Sequence, residues 1–173
     1  VYMNAGAYGG EMKDVLASVT ALDINGNVHE YSADELEMSY RHSRFTDSGE
    51  IILSAEFRLQ KADKNSIKTR MSELMEKRRS KQPLEFPSAG STFKRPEGAY
   101  AAQLIEECGL KGFTVGNAQV SEKHSGFVIN RGGASFDDVM AVIAEVKRTV
   151  AEKTGYKLEC EPIIISEREE YRK

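Results

Sequence analysis

The hydrophobic pattern changes period near residue 62, and this change constrains the fold more than any other feature of the chain. Up to Leu59, short runs of β-branched and apolar residues alternate with turn residues, as in β-strands. Farther on, apolar residues recur at the spacing of one helical face, at Ile67, Met71, Leu74 and Met75. Strands and helices then follow one another without the regular alternation of a doubly wound sheet, so the predicted fold class is α+β. A domain boundary is expected between Ala62 and Gln82.

A β-hairpin, a short helix and a further strand are predicted before this boundary. The hairpin rests on Asn25-Gly26, the strongest two-residue turn signal, which lies between two strand-like runs. Ser32 and Glu35 resemble a capping box and predict a helix of one or two turns. The predicted elements are strands over 15–24, 28–31 and 51–59 and a helix through about Met38.

Two capped helices and several short strands are predicted after the boundary. Gln82-Pro83 ends the basic helix that contains Ile67. Gly109 and Gly155 are placed to close two later helices in the left-handed conformation. The predicted elements are helices over 99–108 and 135–154, strands at 113–115, 120 and 127–130, and a final strand over 158–165. The apolar face of the last helix is formed by Phe136, Val139, Met140, Ile143, Val146 and Val150.

Charge and composition exclude several classes of protein. Lysines and arginines number 24 against 27 acids, a net charge of −3, which lacks the basic excess of a nucleic-acid-binding protein. No apolar run approaches the roughly 20 residues of a membrane-spanning helix, so neither nucleic acid nor membrane is an expected partner. With only Cys108 and Cys160, the chain reads as a reduced, cytoplasmic protein. It begins at Val1 without a secretory leader pattern and is interpreted as a fragment.

Two loops carry residues suited to ligand binding. The first, Val1–Gly10, is too glycine-rich for a regular element; it suits backbone donors lying against a flat cofactor, and a plain irregular connection is the alternative. The second, Phe86–Pro96, places Ser91 among small residues and close to Lys94 and Arg95, whose charges suit a phosphate. An ordinary turn with solvated cations is the alternative for this loop.

Three further polar residues stand out. Arg41 follows Tyr40 after a short helix, and a plain surface arginine is its simplest interpretation. Glu161 enters an apolar strand, where alternation places it on the same face as Glu159. A carboxylate in such a setting often marks an acid with a tuned pKa, and an exposed strand face is the alternative. His124 has no second ligand at metal spacing, so no metal site is expected.

Four segments in order carry a resemblance to a known enzyme family. They are 1–11, the Tyr-Arg-His-Ser-Arg-Phe run at 40–45, 87–96 and 158–165, and the segment 124–130 also agrees. Together they resemble the UDP-N-acetylenolpyruvoylglucosamine reductases. The resemblance implies an FAD enzyme of peptidoglycan precursor synthesis, in which NADPH reduces the flavin. The flavin then passes a hydride to the double bond of UDP-N-acetylglucosamine enolpyruvate, and the product is UDP-N-acetylmuramate.

The same resemblance implies a role for each motif residue. Ser91 would be the proton donor, and Arg41 and Glu161 would stabilise the negatively charged intermediate. The residues implied to hold the substrate are Tyr40, Arg78, Gln82, Lys94 and Arg95. The residues implied to face the flavin are Asn4, Ala5, Gly6, Ala7 and Tyr8.

The resemblance also implies a domain organisation. Residues 1–80 would be the remainder of an FAD-binding domain with a linking helix, 81–155 a smaller substrate-binding domain, and 156–173 a closing strand and tail that return to the first part. The family's N-terminal FAD-binding domain is not in this chain, so the isolated chain is expected to be inactive. Arg95 stands where many relatives carry asparagine, and Ile163 where relatives often carry arginine.

Two other functions are open at this stage. A non-catalytic module that binds sugar nucleotides would keep the cations of the second loop, but it would have no need of Arg41 and Glu161. Another FAD oxidoreductase of the same superfamily would act on a different substrate. A purely structural domain is a further alternative, against which the joint match of the motifs argues. Binding of UDP-sugars separates these possibilities.

Overall fold

The computed structural model describes residues 1–165, and the chain divides into two compact units, Val1–Leu74 and Met75–Lys173. The division falls inside the interval 62–82. Helices and antiparallel strands are mixed along the chain, so the predicted α+β class is confirmed. Within residues 1–165, the helices are too short or too polar for any of them to cross a membrane.

The first unit contains a three-stranded antiparallel sheet. Its elements in chain order are β1 (Gly6–Ala7), β2 (Gly10–Glu11), β3 (Leu16–Leu22), β4 (Val28–Ser32), α1 (Phe45–Ser48), β5 (Ile51–Phe57) and the beginning of α2 (Lys64–Lys81). β3 lies between β4 and β5, while β1 and β2 form a separate two-stranded ribbon. The buried core residues of this unit are Leu16, Val19, Ala21, Leu36 and Phe45. Every second or third residue of β3 is therefore buried, which is the pattern of a strand with one face against a core.

The predicted hairpin is confirmed as β3 and β4, but its connection is longer than two residues. The strands join through Asp23–Asn27, since the last paired residues are the neighbours of that segment. The Asp23 carboxylate accepts hydrogen bonds from the backbone N–H groups of Asn25 and Asn27, both at 2.8 Å. An aspartate that bonds backbone two residues ahead organises a turn by itself. The turn therefore depends on Asp23 as well as on the Asn25-Gly26 pair.

The short helix and the basic helix are both present, with differences from expectation. Ser32 and Glu35 form the predicted capping box, but the helix is a single 3₁₀ turn that ends where Glu37 adopts a left-handed φ of 48°. The basic helix is α2, yet none of its residues is buried within the described part of the chain. The spacing that includes Ile67 and Met71 thus predicted the helix correctly. The apolar face that it indicates is not buried in the described structure.

The second unit packs two helices on a four-stranded antiparallel sheet. Its elements are β6 (Ser88–Ser91), α3 (Ala101–Glu107), β7 (Thr114–Val115), β8 (Ala118–Val120), β9 (Phe127–Asn130) and α4 (Phe136–Thr154), with the strands in the order β6-β9-β8-β7. As predicted, α4 begins at a capping box on Ser135 and ends at a left-handed Gly155. Its buried residues include Val142, Ile143, Val146 and Val150, whereas Phe136 is 41% exposed.

The predicted closing strand over 158–165 is wrong. Among the described residues, this segment makes one antiparallel bridge, between Cys160 and Phe93. Because Phe93 belongs to the core of the second unit, the bridge holds the segment to that unit. Pro162 has no backbone N–H with which to extend the ladder. The predicted tail over 166–173 lies outside the described residues.

Candidate functional site

The loop predicted around Ser91 is in fact an edge strand with a bulge. Ser88 pairs with Ile129 and Ser91 pairs with Phe127 across β9, with an irregular register between the two pairs. Gly90 takes up the irregularity with a φ of 82°, a conformation that favours glycine. The Ser88 hydroxyl accepts a hydrogen bond from the Gly90 N–H at 3.4 Å, which is the ordinary turn role. Ser91 is the last residue of the strand and is exposed to solvent.

Thr92 ties the end of β6 both to the sheet and to Glu161. Its backbone N–H donates to the Gly126 carbonyl at 2.8 Å, and its hydroxyl accepts from the Val128 N–H at 3.0 Å. Its carbonyl accepts from the Glu161 N–H at 3.0 Å. Thr92 is only 3% exposed, so these bonds are sheltered from water. The backbone of Glu161 is therefore bonded to the residue that directly follows Ser91, and two of the predicted catalytic residues share one backbone neighbourhood.

Lys94 and Arg95, the predicted phosphate-binding cations, each have a partner within the second unit. Lys94 Nζ lies 3.2 Å from the Glu159 carboxylate, and both side chains are well exposed. The Arg95 guanidinium lies over the Tyr100 ring, 4.1 Å from its centre. Sequence reasoning missed both partners; the placement of Glu159 on the same face as Glu161 was the available signal for the first. Both cations are held in place and remain open to solvent.

Arg78 and Gln82 lie one helical turn apart at the carboxyl end of α2. The Gln82 N–H donates to the Arg78 carbonyl at 2.8 Å, continuing the helical pattern by one residue. Because residues four apart lie on the same face of a helix, the two side chains are neighbours. Arg78 is exposed and Gln82 is half-buried.

His124 makes contacts inside the second unit that give it a structural role. Its Nδ1 accepts a hydrogen bond from the Gly126 N–H at 3.1 Å, and its ring packs edge-on against Phe127 with the centres 5.0 Å apart. Burial lowers the pKa of His124 because the charged form loses solvent. Among residues 1–165, no group of three or more histidine, cysteine, aspartate or glutamate side chains is arranged to hold a metal ion.

Arg41 lies at the tip of a tight turn in the first unit. Ser39 and His42 exchange both backbone hydrogen bonds, at 3.1 and 3.2 Å, which leaves Tyr40 and Arg41 as the two central residues. Arg41 has a φ of 55° in the left-handed region, where a residue with a side chain is strained by about 1–2 kcal/mol. Its guanidinium lies 5.4 Å from the centre of the Tyr40 ring. Strain of this kind persists only where the surrounding structure holds it.

Arg44 fastens the carboxyl side of this turn to the sheet. Its guanidinium lies 3.7 Å from the centre of the Tyr31 ring, and its Nε lies 3.7 Å from the Glu50 carboxylate. The Tyr31 hydroxyl donates to Glu50 at 2.6 Å. This hydrogen bond lowers the pKa of Glu50 and raises the pKa of Tyr31. These contacts connect the segment that follows the Arg41 turn to strand β4 and Glu50.

The glycine-rich opening loop is the ribbon of β1 and β2, and Asn4 is its buried anchor. Asn4 is 3% exposed, and both N–H groups of its side chain donate within the unit, to Glu11 at 2.7 Å and to the Ser39 carbonyl at 3.2 Å. Its side-chain oxygen accepts from the Lys13 N–H at 3.0 Å. The other four residues predicted to face a flavin are exposed, namely Ala5, Gly6, Ala7 and Tyr8. The Asn4 side chain is thus engaged inside the protein rather than presented at the surface.

Comparisons with known proteins show which proteins this chain is similar to. Residues 82–165 match the family model described as the C-terminal domain of UDP-N-acetylenolpyruvoylglucosamine reductase. Over 167 residues the chain is 55% identical to the reductase of that name from Agathobacter rectalis, covering 96% of this chain and 53% of that protein. The corresponding reductase of Clostridium novyi is 54% identical over 170 residues, covering 98% of this chain and 55% of that protein. The chain is thus similar to UDP-N-acetylenolpyruvoylglucosamine reductases over nearly its whole length, and residues 82–165 match their C-terminal domain.

A solved structure of a UDP-N-acetylenolpyruvylglucosamine reductase, from Thermus caldophilus, agrees with this assignment. It matches with a TM-score of 0.77 and 37% sequence identity, covering 92% of this chain and 56% of that chain. The resemblance found in the four sequence segments is therefore confirmed. By name, the relatives are oxidoreductases, and the chain spans about half the length of the curated relatives it matches.

The candidate reductase residues are distributed over both units. The family-model region contains Gln82, Ser91, Lys94, Arg95 and Glu161. The first unit contains Arg41 and Tyr40 at the tip of their turn, together with the opening ribbon. Each unit thus contains some of the candidate residues.

Proposed function

We propose that the full-length protein containing this chain reduces UDP-N-acetylglucosamine enolpyruvate to UDP-N-acetylmuramate, using NADPH and FAD in the cytoplasm. The observation that carries the proposal is the junction at Thr92, which joins the end of strand β6 to the backbone of Glu161. The backbones of Ser91, Lys94 and Glu161 are thereby neighbours in the second unit. A hydroxyl, a carboxylate and a cation are the combination that the addition of a hydride and a proton to an enolpyruvyl group requires.

Ser91 is assigned the proton that completes the reduction. FAD, when bound and reduced by NADPH, would supply the hydride for one carbon of the double bond, which would leave the electron pair of that bond on the neighbouring carbon next to the substrate carboxylate. The Ser91 hydroxyl gives its proton to that neighbouring carbon, and solvent returns a proton to the serine. Ser91 suits this role because it ends an edge strand in an exposed position, while its backbone is fixed by pairing with Phe127.

Arg41 and Glu161 are assigned to the negative charge that builds up between the two transfers. Arg41 contributes a permanent positive charge at the tip of its turn, with the guanidinium 5.4 Å from the centre of the Tyr40 ring. Glu161 contributes a polar partner whose backbone is anchored on Thr92. Groups that are already oriented toward a developing charge stabilise it without reorganising during the reaction.

The exposed cations are assigned to the UDP part of the substrate. Arginine grips phosphate oxygens with two parallel hydrogen bonds, and lysine adds a compact charge. Lys94 and Arg95 lie next to Ser91 in the chain and are open to solvent. The remaining residues proposed to hold the substrate are Tyr40, Arg78 and Gln82.

The ribbon of the first unit fits a flavin surface. Ala5, Gly6 and Ala7 are small and exposed, so their backbone is open to close approach. A Cβ added to Gly6 would lie 2.9 Å from Glu11 Cγ, so a larger residue there would displace the Glu11 side chain. We assign the flavin face to Ala5–Tyr8, with Asn4 as its internal support. The first unit is accordingly proposed as part of an FAD-binding domain and the second as the substrate-binding domain.

The proposal is tested by reducing the full-length protein with NADPH without oxygen, adding UDP-N-acetylglucosamine enolpyruvate and following reoxidation of the flavin by absorbance. Ser91→Ala is expected to slow reoxidation by at least about 100-fold, the range for loss of a positioned proton donor. Ser88→Ala is the matched control, because Ser88 lies on the same strand and its hydroxyl accepts a hydrogen bond from Gly90 within its own turn. A Ser91→Ala protein that reoxidises at the wild-type rate would show that the proton comes from another group.

A further inference from the structure

Two side chains join the opening ribbon to the Arg41 turn within the first unit. On one side of the turn, Asn4 Nδ2 donates to the Ser39 carbonyl at 3.2 Å. On the other side, the Ser43 hydroxyl donates to the Tyr2 carbonyl at 2.6 Å. Ser39 and Ser43 flank the turn, while Tyr2 and Asn4 lie two residues apart in the chain. Both ends of the turn are therefore fastened to the same short segment at the base of the ribbon.

Both joining side chains are buried. Ser43 is 0% exposed and Asn4 is 3% exposed. A buried polar group that loses its partner retains the full cost of its desolvation, so these bonds are maintained in the folded state. They are also long-range contacts, 41 and 35 residues apart in the chain. They fix the placement of two loops that the chain itself does not hold together.

The same two loops contain backbone strain. Asn4 has a φ of 43° and Arg41 a φ of 55°, both in the left-handed region. Asparagine tolerates this region, but arginine does not favour it. A strained arginine therefore needs an external restraint, and the bonds from Asn4 and Ser43 enclose it on both sides.

We propose that Asn4 and Ser43 are positioning residues, which hold the Arg41 guanidinium at a fixed place relative to the flavin-facing ribbon. The inference rests on the proposed function, in which Arg41 stabilises the charged intermediate. When either bond is lost, the turn relaxes toward a negative φ at Arg41 and its side chain leaves the productive direction. The turn stays closed through the backbone hydrogen bonds between Ser39 and His42. When the Ser43 bond alone is lost, the chemistry is impaired while the Asn4 bonds that support the flavin face are kept.

The test uses the full-length reductase with Ser43→Ala and Asn4→Gly. Glycine removes the Asn4 side chain and keeps the left-handed backbone accessible, so the lost hydrogen bonds are the main change. Both variants are expected to slow substrate-dependent flavin reoxidation by about tenfold, the factor that corresponds to one hydrogen bond's worth of transition-state stabilisation. In Ser43→Ala, flavin content and the rate of flavin reduction by NADPH are expected to stay within about twofold of wild type. Asn4→Gly also loses the bonds to Glu11 and Lys13 that support the flavin face, so it is expected to lower flavin content as well. Ser54→Ala, on the exposed strand β5, is the matched control and is expected to change none of these quantities.

A double-mutant cycle with Arg41→Ala separates positioning from general damage. If Ser43 acts through Arg41, adding Ser43→Ala to Arg41→Ala slows reoxidation no further. Hydrogen exchange of a peptide covering residues 38–44 supplies a readout that does not depend on turnover, and the His42 amide is expected to exchange faster in both single variants.

The reoxidation rates of the variants decide whether Asn4 and Ser43 position Arg41. Wild-type reoxidation in both single variants, or an undiminished effect of Ser43→Ala in the Arg41→Ala background, overturns the positioning role. Wild-type reoxidation in Arg41→Ala itself refutes the assigned role of Arg41, while the exchange measurement still reports whether the turn is restrained. If Ser43→Ala does not fold with flavin, the same reoxidation rates are measured for Asn4→Gly and for Ser43→Cys, in which the thiol is a weak hydrogen-bond donor.

Discussion

Replacing Glu159 with glutamine is expected to tighten the binding of the UDP-containing substrate. Lys94 Nζ lies 3.2 Å from the Glu159 carboxylate, with the two side chains 46% and 75% exposed. In the proposed function, Lys94 leaves this carboxylate in order to meet the diphosphate of the substrate. Glutamine keeps the size of the side chain and removes the competing charge, so the lysine is freed before the substrate arrives.

The size of the effect follows from the exposure of the ion pair. Solvent-exposed pairs of this kind contribute roughly 0.2–1 kcal/mol. Releasing Lys94 from the pair therefore corresponds to an affinity gain of about 1.5- to 5-fold. The free energy of unfolding is expected to change by less than about 1 kcal/mol for the same reason.

The assay is a calorimetric titration of the full-length reductase with UDP-N-acetylglucosamine enolpyruvate at two ionic strengths. The gain from Glu159→Gln is expected to shrink at high salt, because exposed charges are screened. Glu85→Gln is the matched control, since Glu85 forms a comparable exposed pair with Lys123 at 3.3 Å. An unchanged or weaker affinity in Glu159→Gln, or an equal gain in Glu85→Gln, would refute the reasoning.

Three further predictions concern stability. Thr92→Val removes the hydroxyl that accepts from the Val128 N–H and is expected to lower the free energy of unfolding by about 1–3 kcal/mol; urea denaturation measures this, and a loss no larger than for Thr92→Ser would contradict it. Val146→Ala in the fully buried face of α4 is expected to cost about 2–3 kcal/mol, against less than about 0.5 kcal/mol for the exposed Lys147→Ala on the same helix. Because a tyrosine hydroxyl donates to Glu50 and lowers its pKa in the folded state, the unfolded state binds the proton more readily, and the stability that Glu50 contributes is present above about pH 4 and lost as pH falls further. Thermal unfolding followed from pH 7 to pH 3 is expected to show a shallower acid loss in Glu50→Gln, and identical curves for the two proteins would exclude this contribution.

The parts of the fold that local sequence determines were predicted well. Helix α4 has a capping box at Ser135, an apolar face at helical spacing and a glycine at its end, and these signals agree with one another. The hairpin of β3 and β4 likewise has a turn signal between two strand-like runs. Agreement between local signals is what allowed both elements to be located without any tertiary information.

The elements that depend on tertiary partners were not predicted. Strand β6 consists of serine, alanine and glycine, which have low strand propensity, and it forms because β9 offers it a pairing edge. The segment over 158–165 shows the opposite case, since its run of isoleucines favours a strand but the structure pairs only Cys160. Propensity describes what a segment tolerates, while an available edge determines what it forms.

The candidate site divides in the same way. The motif residues Ser91, Arg41 and Glu161 were identified from the sequence through their resemblance to a family, and their catalytic roles stay predictions. The internal role of Asn4 could not be read from the sequence, because its partner at Ser39 lies 35 residues away. The ion pair between Lys94 and Glu159, which spans 65 residues, was hidden for the same reason.

Mass spectrometry of the product formed by the full-length reductase tests the central claim most directly. Incubated with UDP-N-acetylglucosamine enolpyruvate and NADPH, the wild-type protein is expected to form a product that is two hydrogens heavier than the substrate. One molecule of this product is expected for each NADPH oxidised. Ser91→Ala is expected to lose this product formation, and Ser88→Ala is expected to keep it. Oxidation of NADPH without the heavier product, or wild-type product formation by Ser91→Ala, would contradict the account.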